Sequence, residues 1–130
     1  MKYIKKFEKY WTEEEIKPTE LIKKLTNIFI ELGFKVKHRS SEYNIYYFMK
    51  NDNVFYMKGG LGSKKLLFNN IGKDSDFLDF LKDYFKNIEG LIIVDYSLQF
   101  EIHFENIDKV INQISKKDFK FKQITNKYNL

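Results

Sequence analysis

The chain of 130 residues has no cysteine, no alanine, one proline (Pro18) and one arginine (Arg39). Without cysteine it forms no disulfide, thiolate metal site or thiol nucleophile, and this composition is typical of a reducing compartment. Its longest apolar run, residues 45–49, is far shorter than the about 20 residues that span a bilayer. Lysines interrupt the apolar residues at the start of the chain, so no signal peptide is indicated. We therefore expect a cytoplasmic protein with no membrane partner.

Lysine supplies almost all of the positive charge. The chain has 23 Lys and Arg against 18 Asp and Glu, which gives a net charge of +5 and a pI of about 9.2. A basic balance favours an acidic partner, either nucleic acid or a protein surface. Phosphate and guanine recognition favours arginine, however. The abundant Lys, Asn, Ile, Phe and Tyr also share AT-rich codons, so codon bias is sufficient to explain the whole lysine excess.

Hydrophobic periodicity predicts a single domain over residues 1–130, with the order α-α-β-β-β-(β)-α-β(β)-α. Helical spacing of apolar residues indicates helices in 1–11, 18–32, 75–89 and 107–114, with Pro18 starting the second and Gly33 ending it. Alternation indicates a strand in 34–40, and aromatic and apolar residues indicate a central strand in 43–50, its hairpin partner in 54–58 and an optional fourth strand in 64–68. The fold class is therefore α+β, an antiparallel sheet of four to six strands with helices mainly on one face. The basic segment 116–130 is predicted to be a partly ordered tail.

Residues 91–104 alternate between apolar and polar without a break. They form either one long strand or two strands with a corner near Ser97. The alternation predicts that Ile92 lies on the same face as Phe100 and Ile102.

No catalytic constellation is evident. The element order resembles that of the PD-(D/E)xK nucleases, a resemblance that implies two carboxylates holding Mg²⁺ beside a lysine that activates water. Lys58 matches the lysine position, but Tyr56 stands where the second carboxylate is needed and Asp52 lies in a predicted turn. We therefore expect no metal, no cofactor and no catalytic residue, and a protein that is not an enzyme.

Two weaker patterns point to other chemistry. Glu101, His103 and Glu105 fall on one strand face, where they could bind a metal or transfer a proton; a solvated charged face is the commoner arrangement. The glycine-rich loop before Lys64 could line an anion. It lacks Walker spacing and precedes a strand, which is more typical of a hairpin loop.

The strongest candidate surface lies on the first two predicted strands. Six residues there form one basic and aromatic patch if the register places them on the same face: Lys35, Lys37, Arg39, Tyr46, Phe48 and Lys50. Such a patch suits a protein interface and also single-stranded nucleic acid. The opposing interpretation is that Tyr46 and Phe48 face a helix inside the core.

These observations favour a small protein-binding protein. The leading hypothesis is an immunity protein or toxin inhibitor, such as a mobile element encodes, that covers the active surface of a partner with acidic character. The alternative is a nucleic-acid-binding module that uses the basic, aromatic sheet face. The third hypothesis is an enzyme whose site is assembled only in space, around Glu101 and His103.

Overall fold

The computed structural model describes residues 13–40, 44–59 and 64–115. Within them the chain forms three helices, α1 (Glu13–Glu31), α2 (Asp76–Lys86) and α3 (Ile107–Gln113). It also forms six strands: β1 (Lys35–Ser40), β2 (Asn44–Lys50), β3 (Asn53–Gly59), β4 (Lys65–Asn70), β5 (Leu91–Asp95) and β6 (Gln99–Phe104). This confirms the predicted α+β order from the second helix onward. The predicted helix 1–11, the tail 116–130 and most of the glycine-rich loop lie outside the described residues.

The six strands form one antiparallel sheet with the order β1-β2-β3-β4-β6-β5. Strands β1 and β5 are therefore its edges. A two-residue turn joins β2 to β3, because Lys50 pairs directly with Asn53. Asn51 takes a φ of 55° in this turn, a left-handed conformation that asparagine adopts more readily than most residues.

Helix α1 ends where Gly33 was predicted to end it. Gly33 has a φ of 102°, its N–H donates to the carbonyl of Ile30, and the N–H of Phe34 donates to the carbonyl of Phe29. These two hydrogen bonds define a Schellman motif. The Phe34 ring consequently folds back to 6.3 Å from the ring of Phe29, so the chain enters β1 with an aromatic side chain already in the core.

The start of α1 differs from the prediction. The helix begins at Glu13 rather than at Pro18. Pro18 lacks an N–H, so the carbonyl of Glu14, four residues earlier, has no helical donor from this position. The apolar stripe that follows, with Leu21, Leu25 and Phe29 fully buried, stabilises the helix through packing.

The core lies between the three helices and one face of the sheet. Phe29 on α1 is at its centre, with ring centroids 5.0 Å from Phe48 and 5.6 Å from both Phe55 and Phe77. A second aromatic group joins α2 to the other half of the sheet through Phe68, Phe85 and Phe100. Helix α3 packs beside α1, and the Lys24 ammonium donates to the carbonyl of Ile111 over 2.7 Å.

Residues 91–104 are two strands, which decides between the two predicted alternatives. The chain turns at Ser97 and Leu98, and the N–H of Tyr96 donates to the carbonyl of Gln99. Because of this turn Ile93, not Ile92, pairs with Ile102. The prediction that Ile92 shares the face of Phe100 and Ile102 is wrong, and the Ile92 side chain is 68% exposed.

Candidate functional site

The two faces of the sheet differ in what covers them. All three described helices pack on the face that carries Phe48, Phe55, Phe68 and Ile102. No helix in the described part of the chain packs on the opposite face. We call this the helix-free face; its two central rows, read across the strands, are Lys37–Tyr47–Tyr56–Asn69–Gln99 and Arg39–Ile45–Lys58–Leu67–Glu101–Val94.

The six residues of the predicted patch are divided between the two faces. Lys35, Lys37 and Arg39 lie exposed on the helix-free face. The register pairs them with Met49, Tyr47 and Ile45. The expectation that Tyr46, Phe48 and Lys50 join them is therefore wrong, because successive residues of a strand point to opposite faces.

Each of the three misplaced residues has a structural contact instead. Phe48 is fully buried and stacks on Phe55. Tyr46 is half-buried and stacks on His38 with ring centroids 4.2 Å apart. Lys50 donates to the carbonyl of Leu32 at 2.6 Å, where it interacts favourably with the partial negative charge at the end of α1.

Two tyrosines lie at the centre of the helix-free face. Tyr47 and Tyr56 are direct cross-strand neighbours, half-buried, with ring centroids 5.7 Å apart and planes inclined at 58°. Lys37 flanks Tyr47 on β1, and Met49, two residues along β2, is 43% exposed. Neither tyrosine is among the site residues predicted from the sequence. The arrangement offers aromatic contact area bordered by cations.

An acidic group occupies the far side of the same face. The Glu101 carboxylate is only 15% exposed; it accepts a hydrogen bond from the Tyr96 hydroxyl at 3.0 Å and lies 3.6 Å from the Lys65 ammonium. The hydrogen bond to Glu101, together with that carboxylate's negative charge, raises the pKa of Tyr96. His103 Nε2 is 3.9 Å from Glu101, beyond hydrogen-bonding distance. The predicted proximity of Glu101 and His103 is confirmed, whereas a catalytic role for them stays a hypothesis.

Within the described ranges no three acidic or histidine side chains are grouped closely enough to hold a metal ion. A cleft of about 70 Å³ lies between the start of α2 and the β5–β6 turn, where Lys82 and Asp95 form an ion pair at 3.1 Å. It has room for a few water molecules. Neither Glu101 nor His103 lines it, whereas Tyr96, whose hydroxyl donates to Glu101, does.

Comparison with known proteins gives no match: no protein-family model, no curated protein and no solved structure is significantly similar to this chain. Among the helices that the structure describes, none combines the length and the apolar character needed to cross a bilayer. Any statement about function therefore depends on the helix-free face itself.

Proposed function

We propose that this chain is a small binding protein whose helix-free face docks against an acidic surface of a protein partner. One observation carries the proposal: the register places the exposed cations Lys35, Lys37 and Arg39 directly beside Tyr47 and Met49, on a face that no described helix covers. Tyrosine, methionine and arginine are enriched at protein interfaces. The lysines supply long-range attraction toward an acidic surface.

The size of this face suits a protein interface. With six strands about 4.8 Å apart and about 3.3 Å per residue along each, it measures roughly 24 by 20 Å. That projected area, roughly 480 Å², is of the same order as the about 800 Å² of accessible surface that each partner buries in a standard complex. The half-buried tyrosines are at its centre, where the residues that dominate binding energy usually cluster.

Neutralisation of the partner is the mode of action that fits this surface best. An inhibitor or immunity protein acts by covering the active surface of a toxin or enzyme, which requires complementary shape and charge but no catalytic group. A basic, aromatic face would complement an acidic catalytic cleft. As part of the same proposal we assign this binding to the cytoplasm, because a cysteine-free chain suits a reducing compartment.

A second candidate function, the binding of single-stranded nucleic acid, is favoured by one specific observation. Tyr47 and Tyr56 lie side by side with Lys37 next to them. Stacking of bases on aromatic rings beside cations is the usual way in which proteins bind single strands. Such binding would weaken steeply as the salt concentration rises.

The proposal predicts that removal of the two tyrosines abolishes capture of the partner. The tagged protein and its Tyr47→Ala/Tyr56→Ala variant are used to capture ligands from the native lysate after nuclease digestion. We expect wild type to retain one stoichiometric polypeptide and the variant to lose it, with affinity reduced by about 100-fold or more, because truncation of a central aromatic residue costs about 2 kcal/mol.

The matched control is Tyr46→Ala, which removes the same side chain from the opposite face of β2; thermal melts establish that each variant is folded. Capture that is lost equally in the control, or retained without both face tyrosines, contradicts the proposal. Material that nuclease digestion removes favours the nucleic-acid candidate instead.

A further inference from the structure

The edge of the sheet that β1 forms is a second candidate surface for interaction. Within the described residues β1 pairs with β2 on one side and with no strand on the other. Alternate residues of an edge strand direct their N–H and C=O groups outward. A strand of the length of β1 therefore presents about three such residues to an incoming strand.

The side chains of β1 restrict which strand can pair there. Lys35, Lys37 and Arg39 occupy alternate positions on one face and are exposed. None of the ion pairs found among the described residues includes any of the three. No aspartate or glutamate occurs in β1, β2, β3 or β4; the acidic residues of the sheet are Asp95 on β5 and Glu101 on β6.

This charge pattern disfavours a second copy of the chain as the added strand. If two copies of β1 paired, lysine and arginine would face lysine and arginine on the same side of the sheet, and like charges in direct cross-strand pairs are destabilising. Cations on edge strands commonly prevent such self-association. Neither end of the chain is well suited to pair with β1 by charge, because residues 1–12 and 116–130 each contain more lysine than acidic residues.

We propose that the β1 edge binds an extended acidic segment of a protein partner as a seventh strand of the sheet. Backbone hydrogen bonds to β1 hold the segment. Its carboxylates, at alternate positions on the helix-free side, lie opposite Lys35, Lys37 and Arg39, within the about 5 Å that separates cross-strand side chains. This inference rests on the proposed function in one respect, that the partner is a protein, and it names the part of the partner that is recognised.

The test uses the full chain and a labelled peptide in which three glutamates alternate with valines, with affinity measured by fluorescence anisotropy. A strand points the N–H groups of alternate residues to the same neighbour. We therefore expect N-methylation of either the glutamates or the valines to lower affinity by about tenfold or more, although every carboxylate remains. Hydrogen exchange of alternate β1 amides should also slow when the peptide binds.

Charge reversal in Lys35→Glu/Lys37→Glu/Arg39→Glu should lower the affinity by about 100-fold. The control Lys23→Glu/Lys73→Glu/Lys86→Glu changes the net charge equally at exposed positions elsewhere and should change it by less than about threefold. The proposal is overturned if the peptide does not bind, if both N-methylated peptides bind as well as the parent, or if both triple variants lose affinity alike. It is likewise overturned if the β1 triple variant captures the native partner normally while Tyr47→Ala/Tyr56→Ala does not, a result that would still place a protein partner on the helix-free face but without attraction to the β1 cations.

Discussion

At the scale of single residues, one step along β2 decides whether a side chain belongs to the core or to the candidate site. Tyr46 and Phe48 pack on the helix-covered face, whereas Tyr47 lies on the helix-free face beside Lys37. β2 is aromatic at positions on both faces, so its own pattern does not reveal which set is buried. A binding surface predicted from this strand alone is therefore easily placed one residue out of register. The prediction that Tyr46 and Phe48 belong to the patch was wrong for this reason.

The sequence did contain the information needed to choose, but in the next strand. Phe55 and Met57 alternate with Tyr56 and Lys58, which indicates that Phe55 is buried. The short Asn51-Asp52 turn pairs Phe55 with Phe48. The buried set in β3 therefore fixes the buried set in β2, through the geometry of a two-residue hairpin.

The hydrogen bond between Tyr96 and Glu101 gives a prediction at the same scale. Glu101→Gln should lower the pKa of Tyr96 toward its ordinary value, because the carboxylate both accepts the hydrogen bond and repels the phenolate. Because the pKa of Tyr96 is raised in the folded chain, the stabilisation of the fold by this hydrogen bond is fully present below about pH 10. It is lost as the pH rises through the raised pKa. An absorbance or NMR titration of wild type and variant measures it, and an identical Tyr96 titration in the two proteins would show that the contact does not exist in solution.

At the scale of elements, local sequence patterns predicted most helices and strands, whereas the pairing of the strands depended on the turns between them. Apolar stripes predicted α2, α3 and most of α1; alternation predicted β1, and runs of aromatic and apolar residues predicted β2, β3 and β4. The hairpin at Ser97 was one of two open alternatives, because apolar and polar residues alternate through the turn as they do along the strands. The arrangement that makes β5 an edge and β6 the neighbour of β4 depends on long-range pairing, which no local pattern encodes.

The C-terminal cap of α1 gives the prediction at this scale. Gly33→Ala should lower the free energy of unfolding by about 1–2 kcal/mol, because a side chain disfavours the φ of 102° that the Schellman motif needs. Gly33→Asn should cost less, since asparagine tolerates left-handed conformations. Urea denaturation of the three proteins measures the series; equal stability of Gly33→Ala and wild type would contradict the left-handed cap.

At the scale of the whole molecule, the face of the sheet that packs in the core and the face that carries the candidate site are different faces. One face of the sheet is occupied by the aromatic core that α1 and α2 cover. The other face carries cations toward β1, tyrosines at its centre and Glu101 toward β5. Three exposed cations, Lys35, Lys37 and Arg39, thus lie together at one edge of the sheet, which composition alone does not reveal.

The proposed function requires that a protein partner covers the helix-free face. Hydroxyl-radical footprinting of the captured complex tests it directly, with oxidation quantified by peptide mass spectrometry. Met49 on the helix-free face and Ile30 on α1 are similarly exposed in the free chain, at 43% and 49%. We predict that Met49, Tyr47 and Tyr56 become protected in the complex while Ile30 reacts as before; protection of Ile30 with unchanged reactivity of Met49 and the two tyrosines would contradict the claim.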